Sequence, residues 1–131
     1  MVHICVRLTR GDDLKQEIMR IARDNDIACG AIVCAVGCLS RARLRTADGV
    51  TDKDINEPCE IVSVTGTVSR ERCHVHVSLA KSDMSVIGGH LVEGCIVNTT
   101  CELVIEVIKG YTVKKVFDES TGYNELEFIK E

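Results

Sequence analysis

The sequence has no tryptophan, a single proline and only four phenylalanine and tyrosine residues among its 131 positions. A core for this chain must therefore come from aliphatic side chains and cysteine. No apolar run approaches the about 20 residues of a membrane-spanning helix. The beginning, MVHICVRLTRGDD, carries charged residues where a signal peptide has its apolar stretch. The sequence predicts one soluble, cytoplasmic globular domain over residues 1–131.

The sequence also has no pair of cysteines separated by two residues, although it contains eight cysteines. Most of them stand among valine, isoleucine and alanine, where a free thiol behaves as a small buried hydrophobic group. We therefore predict reduced core thiols in place of a disulfide framework or a thiolate zinc site. The eight positions are Cys5, Cys29, Cys34, Cys38, Cys59, Cys73, Cys95 and Cys101.

An excess of positive charge is missing as well, since the net charge is −4 and the pI about 5.6. Dedicated nucleic-acid binders are usually basic. One local exception is the alternation of Arg41, Arg43 and Arg45, which puts three guanidinium groups on one strand face. These arginines are candidate contacts to DNA phosphates, and a solvated, salt-bridged strand face explains them equally well. The aromatic residues all lie late in the chain, which argues against single-strand recognition by base stacking.

Three of the four histidines lie within residues 73–91, CHVHVSLAKSDMSVIGGHL. Apolar and polar residues alternate over 73–79, the pattern of a half-buried strand whose His74 and His76 face one side. Residues two apart on a strand are separated by roughly 7 Å, so both imidazoles can reach one metal ion. His90 follows Gly88-Gly89, where we expect a bend or a close approach of the backbone.

We predict that His74, His76 and His90 bind a divalent metal, with zinc first because three imidazoles are a common zinc ligand set. Two alternatives stay open: the histidines form structural hydrogen bonds, or they hold subunits together. Hydrolysis at such a metal would need a proton acceptor. Glu60, Glu93 and Glu102 are candidates, but solvated or paired carboxylates are the commoner explanation. An enzymatic role is therefore the weaker hypothesis.

The hydrophobic pattern predicts an α+β domain with one helix and seven or eight strand segments. A first strand covers residues 2–8, and a helix begins after Asp13, with Gln16 completing a capping box, and ends near residues 25–26. Strands follow at 29–39, 40–45, 59–68, 73–79 and 94–107, the last broken at 98–100. Residues 46–58 are predicted as a loop, and short late strands are expected at 112–117 and 126–129.

The motifs resemble those of the plant-and-prokaryote-conserved (PPC) domain family over about residues 5–108. The most specific are HVHVSL at 74–79 and GGHL at 88–91. The others are Arg7-Leu8, residues 11–14, 35–40 and 60–66, Gly94-Cys95, and Val97 with Thr100 and Glu102.

The resemblance implies a mixed, largely antiparallel sheet with one main helix packed on it, assembled as a homotrimer. It also implies a DNA-binding or regulatory module. The plant proteins carry an AT-hook before this domain, and the Arg-Gly-Arg-Pro core of that hook does not occur in this sequence. The leading hypothesis is a DNA-binding or regulatory module with a histidine-lined metal site. The alternative is a small metalloprotein, an enzyme or a small-molecule sensor, without a DNA role.

Overall fold

The structure, a computed structural model, describes residues 2–131. One helix, α1, covers Leu14–Asp24. The strands are β1 (Val2–Thr9), β2 (Gly30–Arg45), β3 (Asp52–Ile55), β4 (Cys59–Val68), β5 (Cys73–Ala80), β6 (Val86–Leu91), β7 (Ile96–Val107), β8 (Tyr111–Asp118) and β9 (Tyr123–Lys130). With 11 residues, α1 is too short to span a membrane, and residues 2–131 contain no membrane-spanning helix.

The long strand β2 organises the main sheet, whose order is β1-β7-β2-β4-β5-β6 with β3 beside β2. The last residues of β2 also pair with β6, so β2, β4, β5 and β6 form a closed circuit of strands. The α+β prediction is confirmed, with a helix of only 11 residues as the minor part. All strand pairings of residues 2–131 are antiparallel, so the expectation of a mixed sheet is corrected.

Helix α1 packs one apolar face on the sheet, with Leu14, Ile18 and Ile21 buried. Asp13 caps it by accepting a hydrogen bond of 3.1 Å from the Gln16 backbone N–H. The predicted capping box is only half formed, because the Gln16 amide donates to Glu93 instead of returning to the cap. The second carboxylate oxygen of Asp13 accepts from the Gly94 N–H at 2.7 Å and so ties the helix to the turn before β7.

Four sequence assignments change in the structure. Residues 86–91, where only a bend or a close approach was expected, form the strand β6. Residues 30–45 form one bulged strand where two were predicted. Residues 98–100 continue β7, and Thr100 pairs there with Thr9 of β1. The predicted loop 46–58 contains β3, in which Asp52 and Asp54 stand opposite Arg45 and Arg43. Opposite charges across a strand pair stabilise the pairing without an apolar pattern that the sequence would reveal.

The last two strands, β8 and β9, pair only with each other and form a C-terminal hairpin. Its aromatic residues Phe117, Tyr123 and Phe128 are exposed. An Arg72 guanidinium nitrogen donates to the Asn124 carbonyl oxygen at 3.0 Å and fixes one end of the hairpin against the main sheet. This contact brings Tyr123 towards the histidine strand.

All eight cysteines are free thiols, but the prediction of core positions holds for only half of them, since Cys5 and Cys34 are exposed and Cys38 and Cys73 are half-buried. Cys29, Cys59, Cys95 and Cys101 are buried in the aliphatic core. Burial raises the pKa of Cys95 and Cys101 to about 11. Because the thiolate is the form that binds metals, these buried thiols are poor ligands at neutral pH.

Candidate metal centre

The three predicted histidines meet at one place on the main sheet. His74 and His76 project from β5, and His90 of β6 stands directly opposite His76 in the strand pairing. The ring centroids are separated by 5.2 Å for His74–His76 and by 5.4 Å for each of the other two pairs. His74 and His90 are half-buried and His76 is exposed, so the cluster faces solvent on one side.

The histidine cluster fits a divalent metal ion. One ring nitrogen of each histidine lies within 4.8 Å of the corresponding nitrogens of the other two. Three nitrogens bound to one tetrahedral zinc ion would be about 3.3 Å apart, given Zn–N distances of about 2.0–2.1 Å. Side-chain rotations that bring the nitrogens about 1.5 Å closer complete such a site. The imidazoles leave a fourth position open, as in zinc sites that bind exogenous ligands.

Two glycines place His90 in the cluster by allowing strands to approach closely. A Cβ atom on Gly88 would lie 2.7 Å from the Val77 carbonyl oxygen of β5. A Cβ atom on Gly89 would lie 2.7 Å from the Arg45 carbonyl oxygen of β2. Of the two expected roles of this pair, the structure shows close approach, because both residues belong to the regular strand β6.

The surroundings of His74 and His90 favour the neutral imidazole, the form that binds metal. Burial, reinforced by the neighbouring His74, His76, Arg45 and Lys15, lowers the pKa of His90 to about 4. Burial also lowers the pKa of His74, helped by Arg72 and His76 and opposed by Glu125. Proton competition at His90 is therefore weak at neutral pH.

The low pKa of His90 predicts acid sensitivity of the metal-free protein. As pH falls, the unfolded chain takes up this proton near 6.5, but the folded chain takes it up only near 4. The free energy of unfolding is therefore highest above pH 6.5 and decreases as the pH falls from 6.5 towards 4. Urea unfolding of chelator-treated protein at several pH values should show this decline. The decline should be shallower in His90→Gln and the same as wild type in His3→Gln. If the free energy of unfolding falls equally with pH in all three proteins, His90 is not the cause of the acid sensitivity.

An open cavity of about 750 Å³ lies beside the histidine cluster. Its volume falls within the range of small-molecule sites. His76 and His90 form part of its wall. The other lining residues are Arg45, Thr46, Ala47, Asp48, Gly49, Ser63, Thr65, Val77, Ser78, Gly88, Gly89 and Tyr123.

The candidate proton acceptors do not line this cavity. Glu60 and Glu102 are exposed elsewhere on the sheet, and Glu93 accepts a hydrogen bond from Gln16. Asp48 does line it, but it accepts hydrogen bonds from the side chain and backbone of Thr51, the backbone of Val50 and the side chain of Thr46. These bonds hold the pKa of the Asp48 carboxyl well below its usual range, so it is a weak base.

The predicted arginine face is partly neutralised by acidic neighbours. Arg45 lies 3.1 Å from Asp52, and Arg43 lies 3.7 Å from Asp52 and 3.8 Å from Asp54. Arg41 is exposed and forms no ion pair within residues 2–131. The three arginines thus differ: Arg41 faces no carboxylate, whereas Arg43 and Arg45 each already pair with at least one.

Sequence reasoning missed the cavity residues Asp48 and Tyr123. Asp48 belongs to a segment predicted as an unremarkable loop, and Tyr123 lies about 33 residues beyond the last histidine. The Asp-Gly pair at 48–49 indicated a turn, but no sequence signal tells which surface that turn joins. Arg45 was predicted as a DNA contact, and the structure places it on the cavity wall.

The comparison with curated proteins finds the bifunctional protein GlmU of Synechococcus sp. strain JA-3-3Ab. It is 38% identical over 125 residues, which are 95% of this chain and 20% of that protein. The chain thus spans about one fifth of the length of the curated relatives that it matches.

Solved structures with the same fold include a metal-containing protein from Archaeoglobus fulgidus. It is 30% identical with a TM-score of 0.83, and the match covers 95% of this chain and 92% of that one. Another is a "putative DNA-binding protein" from Bacteroides thetaiotaomicron, 25% identical with a TM-score of 0.86. That match covers 96% of this chain and 91% of the Bacteroides chain.

A protein-family model matches most of the chain. The model of the Plants and Prokaryotes Conserved (PCC) domain matches residues 1–109, which include the helix, all seven strands of the main sheet and the three histidines. The resemblance seen in the HVHVSL and GGHL motifs is thereby confirmed. The chain belongs to the Plants and Prokaryotes Conserved domain family.

Proposed function

We propose that the protein is a metal-dependent ligand-binding module that holds one divalent ion, zinc first, through His74, His76 and His90. The observation that carries this proposal is the convergence of three ring nitrogens within 4.8 Å beside an open cavity. A bound divalent ion would supply a Lewis-acid position for a small molecule. Binding of that small molecule would then allow the domain to act as a sensor or regulatory element.

Two further observations support a metal at this site. The low pKa of His90 keeps that imidazole available at neutral pH. A protein of the same fold that is 30% identical to this chain is metal-containing. Zinc is our first choice because it accepts three imidazoles and one exchangeable ligand, although iron, nickel and copper also bind imidazole.

Binding fits the site better than catalysis. A hydrolytic metal site needs a base within hydrogen-bond reach of the reacting group. Of the acidic side chains in residues 2–131, Asp48 is the one on the cavity wall, and its oxygens already accept hydrogen bonds from its own turn. The curated relatives carry this domain as one fifth of a larger bifunctional protein, which is consistent with an accessory ligand-sensing module.

Equilibrium dialysis of tag-free protein against zinc tests the proposal. A tag of added histidines would supply false ligands, so it must be absent. We expect one zinc ion per chain, retained through gel filtration without free metal. A stoichiometry near zero after exposure to zinc, iron, nickel and copper would overturn the proposal.

We propose duplex DNA as a second candidate partner, bound through Arg41 with Arg43 and Arg45. The observation in its favour is the neighbour of the same fold described as a "putative DNA-binding protein", together with the exposed position of Arg41. The ion pairs of Arg43 and Arg45 with Asp52 weaken this candidate, because a phosphate would have to compete with a carboxylate.

Arg41→Glu tests the DNA candidate most cleanly, because Arg41 lies outside the cavity and forms no ion pair within residues 2–131. The affinity for a mixed-sequence duplex should fall with rising salt. Fluorescence anisotropy at low salt should show about tenfold weaker binding in the variant. Lys109→Glu makes the same charge change on an exposed turn residue and should have little effect. Equal affinities of Arg41→Glu and wild type would exclude the arginine face.

We also propose a homotrimer in a reducing, cytoplasmic environment. Val33 and Val36 of β2 and Val62 of the neighbouring β4 are each more than half exposed, which leaves apolar strand surface for another copy. The eight unpaired thiols suit a compartment that keeps cysteine reduced.

A further inference from the structure

The cavity wall carries a guanidinium group whose outer nitrogens are uncommitted. Arg45 stands opposite His90 in the pairing of β2 with β6, and both side chains line the cavity. Its Nε donates to Asp52 at 3.1 Å. Within residues 2–131, neither terminal nitrogen of Arg45 makes a hydrogen bond. Those two nitrogens form a fork that matches the two oxygens of a carboxylate or phosphate.

The charge balance of the cavity depends on the metal. Arg45 and Asp48 are the two lining residues with formal charges at neutral pH, and Asp52 pairs with Arg45 from outside the lining. These three charges sum to −1, so a divalent ion on the histidines makes the loaded site positive by one charge. The wall otherwise offers small polar groups, among them the hydroxyls of Ser63, Thr65 and Ser78. The loaded cavity thus favours an anion, and the metal-free cavity has no net attraction for one.

The outer wall of the cavity comes from the C-terminal hairpin. Tyr123 begins β9, beyond residues 1–109 that the family model matches. Its hydroxyl lies 3.3 Å from the position that a Cβ on Gly49 would take. The Tyr123 ring and the turn that contains Gly49 therefore lie at the same edge of the cavity. Tyr123 is 58% exposed, and its ring adds a flat apolar surface to the cavity lining.

We propose that the cavity binds a small organic anion whose carboxylate or phosphate group lies between the metal ion and Arg45 and whose body packs against Tyr123. This inference rests on the metal centre proposed above and names its ligand class. The anionic group occupies the position that the three histidines leave open, and the Arg45 fork holds its second oxygen. Tyr123 selects for a ring or a planar chain over a bare anion.

Cobalt-substituted protein provides a test that does not require the natural ligand. The visible absorption of Co²⁺ reports a change of ligand at the metal. We expect saturable spectral changes with both benzoate and phenyl phosphate. The probe that binds with the higher affinity indicates whether the natural group is a carboxylate or a phosphate. Benzyl alcohol, the neutral probe, should cause none. Isothermal titration should find no benzoate binding to the metal-free protein.

Three variants assign the binding residues. Arg45→Gln should retain one cobalt per chain but bind benzoate at least tenfold more weakly. Arg43→Gln, which removes a neighbouring ion pair with Asp52 outside the cavity, should bind it like wild type. Tyr123→Ala should lower the affinity for benzoate several-fold and leave the affinity for acetate unchanged.

Failure of the metal centre and failure of the anion-binding inference give different results. No cobalt uptake would overturn the metal centre and this inference together. Cobalt uptake with a spectrum that no anion changes, or equal benzoate affinities in wild type and Arg45→Gln, would overturn this inference alone.

Discussion

Replacement of His76 by alanine is expected to weaken zinc binding by on the order of 10²- to 10³-fold. Four-ligand zinc sites contribute about 10–16 kcal/mol, which is about 2.5–4 kcal/mol for each ligand lost. His76 is exposed, and its substitution should leave the fold intact. Competition with a chromogenic chelator measures the affinity, and far-ultraviolet circular dichroism checks the fold. His3→Ala is the matched control, because His3 is exposed on β1 opposite Glu106, in a different part of the sheet.

The same variant separates the metal site from the hypothesis that the histidines hold subunits together. The metal account expects His76→Ala to keep the molar mass of the wild-type assembly in sedimentation analysis. Dissociation of the assembly, in protein that never contained metal, would favour the subunit role and contradict the metal account. Unchanged zinc affinity in His76→Ala would exclude this residue as a ligand.

Replacement of Gly66 by alanine is expected to destabilise the protein by about 3 kcal/mol and to weaken zinc binding as well. The added Cβ would lie 2.4 Å from the His74 carbonyl oxygen and 2.7 Å from the Val75 Cα. Both are backbone atoms of β5, so the clash is relieved only if β4 and β5 move apart. Because β5 carries two of the three histidines, that movement disturbs the site. Urea unfolding and zinc competition measure the two effects.

Gly110→Ala is the control for Gly66→Ala. Nothing lies within 4 Å of a Cβ at Gly110, so an alanine there meets only the cost of its positive φ of 77°. That cost is roughly 1–2 kcal/mol, and zinc affinity should not change. A Gly66→Ala protein as stable as wild type would show that β4 and β5 adjust without strain.

The histidine cluster could be predicted from the sequence because two simple periodicities decide it. Alternation along β5 puts His74 and His76 on one face whatever the rest of the fold does. His90 could be added because it lies close along the chain, after a Gly-Gly pair that permits a bend or close approach of the backbone. That its segment is a strand paired with β5 became clear only from the structure. Helix α1 was also predictable, since its cap and its apolar face are both local features.

The cavity could not be predicted, because its wall comes from distant parts of the chain. Arg45 reaches it through the pairing of β2 with β6, and Tyr123 through the attachment of the hairpin by Arg72. Such contacts depend on tertiary geometry that no local pattern encodes. The strand β3 was missed for a related reason: its Asp52 and Asp54 are stabilised by cross-strand charge, and the hydrophobic pattern does not register that.

X-ray absorption at the zinc edge of tag-free, zinc-loaded protein is the most direct test of the central claim. The account predicts a first shell of nitrogen and oxygen atoms at about 2.0 Å with the outer-shell scattering of three imidazoles. With eight cysteines in the chain, thiolates are the main rival ligands. A sulfur shell at about 2.3 Å, or an imidazole signal that persists in the His74, His76 and His90 triple alanine variant, would contradict a metal centre built from these three histidines.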